Sequence, residues 1–153
     1  MHSATDQHSS IRIFIGYARP DRRHHERLRT HLAILRQQGS ITSWSINEIL
    51  PGTRWDDEAR KALDEADVIV LLISADFFDS EYWTTEMQRA LVRHDAGAAH
   101  VVPVLASAVD WRGSPLAKLR VLPDNGVAVK SWTDRDRAWT NVAAGIRRVI
   151  ESW

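Results

Sequence analysis

The stretch Val68-Ile69-Val70-Leu71-Leu72-Ile73 decides the fold. All six residues are apolar and four are β-branched, so no polar face remains and the segment reads as a strand buried on both sides, the pattern of a central parallel strand. Towards the N-terminus, residues 56–66 read as a helix opening on acids that suit its positive end. Pro51-Gly52 before it marks a type II turn, and residues 41–46 form a weaker strand. Leu28, Leu32 and Leu35 recur at helical spacing within residues 21–38, with Gly39 as a stop. Residues 11–15 alternate as a strand that Gly16 ends. Towards the C-terminus, Asp79 or Ser80 caps a helix running to about His94. Residues 101–105 are another buried strand, in which Pro103 lacks a ladder donor. Residues 106–126 are loop-rich with a helical turn near Leu116, and Val127-Ala128-Val129 reads as a fifth strand. Thr133 caps a last helix whose stripe is Trp139, Val142, Ala143, Ile146, Val149 and Ile150.

Strands alternating with helices predict an α/β domain: a flavodoxin-like, doubly wound, five-stranded parallel sheet with helices on both faces. It spans residues 11–153 behind a polar tail, residues 1–10. In such sheets ligands bind past the carboxyl ends of the strands where strand order reverses, here between the first and third. The residues to watch are therefore Gly16-Tyr17-Ala18-Arg19 and Ser74-Ala75-Asp76-Phe77-Phe78.

Composition narrows the function. The chain has 153 residues, 44% of them apolar, and 20 Lys+Arg balance 20 Asp+Glu. That length suits one domain with a real core. Zero formal charge argues against coating a polyanion, so no direct nucleic-acid partner is expected. The absence of cysteine excludes disulfides, thiolate metal sites and a cysteine nucleophile. The longest apolar run is far short of the roughly 20 residues that span a bilayer, and the start MHSATDQHSS lacks the apolar region of a secretory signal. A cytoplasmic domain without membrane contact is the expectation. Seven Trp is a high number, suited to packing and interfaces.

Several chemistries fail on motif. GxGxxG, GxxxxGK[ST] and GxSxG are absent. A phosphoacceptor domain of this topology would place acids after strand one and Asp after strand three, where Gly16-Tyr17 and Ser74 stand. His24, His25 and His31 lack the spacing of a metal site, and no metal is expected. The segment with chemistry in it is Ser80-Glu81-Tyr82-Trp83-Thr84-Thr85-Glu86-Met87-Gln88-Arg89-Ala90-Leu91. Its inward stripe is Trp83, Met87, Ala90 and Leu91, flanked by Tyr82, and Glu86 falls on it. A carboxylate on an apolar face must be paired, protonated or placed in a cleft. Either it serves a site or it forms a salt bridge to an arginine such as Arg19.

These residues resemble the bacterial Toll/interleukin-1 receptor (TIR) domain family from about residue 11 to 151. Ile13-Phe14-Ile15-Gly16-Tyr17 with Asp21 resembles its first strand and loop. Trp44, Ile49-Leu50-Pro51-Gly52 and Trp55 resemble its second strand and BB loop, followed by the helix ending Ala62-Leu63…Ala66-Asp67. Ser80-x-Tyr82-x-x-x-Glu86-Met87 is similar to its aromatic-x-x-x-Glu motif. Asp110-Trp111 and Ser131-Trp132…Ala138-Trp139 fit the C-terminal half. The chain departs from the pattern at Gly16, usually Ser, and at Tyr82, more often Trp. It also departs at Trp83, often Cys, and at Ile46, where many members carry Asp.

The resemblance implies cleavage of NAD+ at the nicotinamide–ribose bond, giving nicotinamide plus ADP-ribose or a cyclised isomer. NAD+ is then substrate, and no cofactor is required. Glu86 would be the catalytic carboxylate. Gly16, Tyr17, Ala18, Arg19, Trp44, Leu50, Pro51, Gly52, Tyr82 and Trp83 would bind substrate, with Arg19 on phosphate. The resemblance also implies activation by homotypic self-association, filaments included, under a sensor domain or partner in cis or trans, in immune or antiphage signalling. The alternative is a noncatalytic TIR scaffold. A weaker third reading is a base-exchange or deoxyribosyl-transfer enzyme.

Overall fold

The computed structural model describes residues 10–44 and 54–153. Leu50, Pro51 and Gly52, the tail 1–9 and the strand continuation to Ile46 lie outside the described residues, as does the Trp44 side chain. Four parallel strands form one sheet: β1 (Ile11–Gly16), β2 (Ile41–Trp44), β3 (Val68–Ile73) and β4 (His100–Leu105). Their order is β2-β1-β3-β4, so the reversal lies between β1 and β3, where it was expected. Every residue of β3 is buried. β3 pairs with β1 from Ile13↔Val68 to Gly16↔Leu71 and with β4 from Val68↔His100 to Ile73↔Leu105.

Alternate side chains of each strand feed opposite layers. Ile13, Ile15, Val68, Val70, Leu72, Val102 and Val104 pack under α1 (Arg22–His31), α2 (Ala33–Gln37) and α6 (Arg135–Glu151). Phe14, Ile69, Leu71, Ile73, Val101 and Leu105 pack under α3 (Trp55–Glu65), α4 (Ala75–Asp79) and α5 (Glu81–Asp95). The doubly wound architecture stands.

Three expectations need correction. Val127-Ala128-Val129 is not a strand: a 3-10 turn occupies Val129–Ser131, and on the edge of β4 away from β3 the only pairing among the described residues is the single bridge Val104↔Leu122. The reason lies on β4's outer edge. Leu122 takes the Leu105 N–H at 2.7 Å, and Pro103 has no N–H to give. The Val101 N–H goes to Nδ1 of His94 at 3.0 Å. With its donors consumed or missing, that edge cannot template a further strand. The helix expected over residues 21–38 breaks at Leu32 (φ −93°, ψ 7°) into α1 and α2. The last helix is capped by Asp134, whose side chain accepts the Arg137 N–H, rather than by Thr133.

Candidate active site

The reversal between β1 and β3 opens the site, and one buried polar contact holds its two loops together. Past β1 the chain turns inward at Tyr17 and Ala18, then forms a 3-10 turn ending at Asp21. Past β3, Ser74 accepts the Phe77 N–H at 3.1 Å and so starts α4. The same hydroxyl donates to the Asp21 carboxylate, and both residues are buried. Ser80 then caps α5 by accepting the Trp83 N–H at 3.2 Å. This cap fixes the rotation of α5, putting Trp83, Glu86, Met87, Ala90 and Leu91 on its buried face.

Glu86 is 1% exposed. Its Oε2 lies 3.5 Å from Nη2 of Arg60 on α3, a long contact. Its Oε1 is buried with no hydrogen-bond partner among the described residues. The salt-bridge partner is thus Arg60 and not Arg19, a correction that no helical periodicity could supply, because the contact joins two helices. The Tyr82 hydroxyl, also buried and without a hydrogen-bond partner among the described residues, is pushed up to about 12 by burial and by the adjacent Glu86 charge.

Aromatic rings build the wall in front of Glu86. Trp83 stacks on Phe77 at 5.7 Å and meets Tyr82 edge-on at 4.9 Å. Tyr82 in turn contacts Trp55 at 4.9 Å, and Tyr17 stacks on His25 at 4.4 Å. A cavity of about 440 Å³ opens here, walled by Tyr17, Trp55, Tyr82 and Trp83, with Arg19, Arg22 and Ser80 supplying polar groups. Glu86 sits one helical turn behind Tyr82 and Trp83 and does not itself line the cavity. Gly16 lies against Trp83: a Cβ there would stand 2.7 Å from Cζ3 and 2.9 Å from Cη2 of the indole. The departures at positions 16 and 83 are therefore one steric solution, a ring occupying the space of the missing side chain.

Of the residues expected to bind substrate, Tyr17, Arg19, Tyr82 and Trp83 meet at this cavity, while Gly16 supports it from beneath. Ala18 instead packs into the core below α3, α4 and α5. Trp44 ends β2. Arg22, Ser80 and Arg60 were not foreseen as site residues, and Trp55 entered only as part of the resemblance; Ser80 was marked as a helix cap and as the start of the motif resemblance, not as a cavity residue.

The fold and this site can be set beside known proteins. The TIR domain family matches residues 13–141. The chain belongs to the TIR domain family. An uncharacterized protein of Sinorhizobium fredii, y4lF, is 36% identical over 140 residues; the match covers 88% of this chain but 42% of that protein. The TIR domain of the Toll-related receptor TRR-2 from Hydra magnipapillata superposes with a TM-score of 0.59 at 20% identity, over 88% of this chain and 97% of that one. The TIR domains of the activated Roq1 resistosome, which recognizes the pathogen effector XopQ, give 0.62 at 17% identity, over 90% and 99%. At those identities the likeness concerns the fold. Among the described residues of this TIR domain, no helix is long and apolar enough to cross a membrane.

Proposed function

We propose that this TIR domain cleaves NAD+ at the nicotinamide–ribose bond, with Glu86 as the catalytic carboxylate. The observation that carries the reading is the buried Glu86 with one oxygen unmet among the described residues, directly behind an aromatic-walled cavity at the sheet's reversal point. Nicotinamide departs as a neutral ring from a cationic N-glycoside, so the reaction needs no strong general acid. It needs negative charge beside the ribose carbon as positive charge develops there, and a fixed carboxylate in a water-poor setting supplies it. The C1′–N bond breaks and its electron pair leaves with nicotinamide. Water then attacks C1′ to give ADP-ribose and a proton, or an adenine nitrogen attacks to close a cyclic isomer. Tyr82 and Trp83 offer ring faces for stacking, and Arg19 and Arg22 offer guanidiniums for the pyrophosphate.

Closure of Glu86 by Arg60 and the aromatic wall favours an enzyme that turns over only when an assembly rearranges the site. The same closure supports the second reading, a scaffold that associates without chemistry. Nicotinamide release from NAD+ at rising protein concentration, beside Glu86→Gln, separates them. The catalytic reading expects release growing faster than linearly with protein and falling about 100-fold or more in the folded variant. No release at concentrations where the chain visibly associates supports the scaffold. Under that reading, changes at Pro51 or Gly52 abolish association and Glu86→Gln changes nothing. The cellular setting proposed is immune or antiphage signalling in the cytoplasm.

A further inference from the structure

A second cavity, of about 460 Å³, lies where α1 and α6 begin and shares no residue with the aromatic one. Arg23 and Arg27 of α1, Lys130 of the 3-10 turn and Arg135 of α6 all line it, against the single carboxylate of Asp136. That carboxylate is already engaged: Oδ1 lies 3.1 Å from Nη2 of Arg27 and 3.7 Å from Nε2 of His31. Among the described residues, Arg23, Lys130 and Arg135 make no ion pair.

The placement of these cations is unfavourable in the empty protein. A helix presents positive charge at its start, which acids relieve and bases aggravate. α3 obeys the rule with Asp56, Asp57 and Glu58, and α5 with Glu81. α1 carries no acid in its first turn and opens Arg22-Arg23 after Asp21, while α6 sets Arg135 between the capping Asp134 and Asp136. Arg23, Lys130 and Arg135, gathered in a concave pocket whose one carboxylate is held by Arg27, repel one another unless a further anion sits among them.

We propose that this cavity binds a phosphate-bearing small molecule of nucleotide size or less, held by Arg23, Lys130 and Arg135. The concavity suits a compact anion that several cations contact at once. A nucleic-acid backbone would instead call for an extended basic face and a basic excess, and the chain's formal charge is zero. His24, half-buried beside the pocket, has its pKa lowered first by burial, with Lys130 and Arg135 pushing the same way against Asp21.

Titration calorimetry of the purified chain with inorganic pyrophosphate tests the proposal. Saturable one-to-one binding is expected, weakened at least tenfold in Arg23→Gln/Arg135→Gln and retained in Arg19→Gln/Arg22→Gln, which removes cations of the aromatic cavity and leaves every residue that lines this one. In phosphate-free buffer the first variant should melt no lower than the parent, because it loses repelling charges, and pyrophosphate should raise the melting temperature of the parent and of Arg19→Gln/Arg22→Gln but not of the first variant. Absence of saturable binding at millimolar pyrophosphate overturns the proposal. So does binding lost in Arg19→Gln/Arg22→Gln but intact in Arg23→Gln/Arg135→Gln. Affinity for single-stranded oligonucleotides that grows with their length, without pyrophosphate binding, overturns it in favour of a nucleic-acid surface. None of these readouts depends on NAD+ turnover.

Discussion

Gly16→Ser tests the packing at the base of the site. The added Cβ would stand 2.7 and 2.9 Å from two Trp83 ring carbons and 3.0 Å from Cδ2 of Leu71. Trp83 cannot easily yield. Phe77 is stacked on it at 5.7 Å, Phe14 lies 6.1 Å away, and Tyr82 meets it edge-on. Overpacking of this kind costs about 1–3 kcal/mol. With two close contacts against a pinned ring and a third against Leu71, the upper half of that range is expected, lowering the melting temperature by about 4–10 °C for a domain of this size. Trp83→Cys alone leaves a cavity and costs about 3–5 kcal/mol. Combined, the serine side chain occupies part of that cavity with the two ring contacts gone and only the Leu71 contact left, so the double variant should be at least about 1 kcal/mol more stable than the two single costs predict. Urea unfolding followed by far-ultraviolet circular dichroism measures all three, avoiding the fluorescence change from removing a tryptophan. Strict additivity, or a Gly16→Ser variant as stable as the parent, would refute the steric argument.

The other expectations concern neighbouring groups. Burial and the nearby Arg29 lower the His25 imidazole to about 4, so between about pH 6.5 and 4 the unfolded chain binds the extra proton. Stability from this group is complete above about pH 6.5 and declines as pH falls towards 4, by at most about 3 kcal/mol. His25→Phe should flatten that part of the profile, and unchanged acid sensitivity in urea midpoints at pH 7.5, 6 and 5 would count against it. Ser74→Ala removes both the α4 cap and the partner of buried Asp21, and should cost about 2–3 kcal/mol by the same measurement. Asp21→Asn/Ser74→Ala should recover part of that loss, and no recovery would show that Asp21 is not the group left stranded. Glu86→Leu should leave the domain as stable as the parent or more so while abolishing any NAD+ cleavage, since a buried charge with one long contact is exchanged for an apolar fit. A large drop in its melting temperature would mean that the carboxylate holds the fold together.

Legibility in the sequence followed how local each feature is. β3 could be bounded to the residue because all six side chains face core on both sides, and a continuous apolar run has no other explanation there. Glu86 could be placed on the buried stripe of α5 because helical periodicity is itself local. The misread fifth strand shows the limit: Ala128 and Val129 are buried as expected, but an apolar triplet is equally buried in a 3-10 turn. What prevents a strand there is the donor-poor edge of β4, made by Pro103 and by His94 on another element. α4 escaped notice because a single turn has no period to detect; its Ser74 cap was the only mark. Arg60 and Trp55 illustrate the same point at the site. Both sit on α3, and their contacts with Glu86 and Tyr82 arise only when α3 and α5 pack side by side.

The energetics of Glu86 bear on why the residue is there. Taking a carboxylate out of water costs several kcal/mol, recovered only when its oxygens are well met. Here one oxygen has a single contact at 3.5 Å with a half-exposed guanidinium, and the other has none among the described residues. Around it, Trp83, Met87, Ala90 and Leu91 build an apolar face that a leucine or methionine would complete without that cost. Packing therefore gives no reason for a carboxylate at position 86. A group held at the expense of stability, beside a cavity with its own aromatic walls and guanidiniums, has the signature of a residue kept for what it does to a ligand. That ligand must move Arg60, or the Tyr82–Trp55 contact, before it can touch the carboxylate. The proposed catalytic reading therefore requires that Arg60 or the Trp55 ring move away from Glu86 and Tyr82, a change between side chains of α3 and α5.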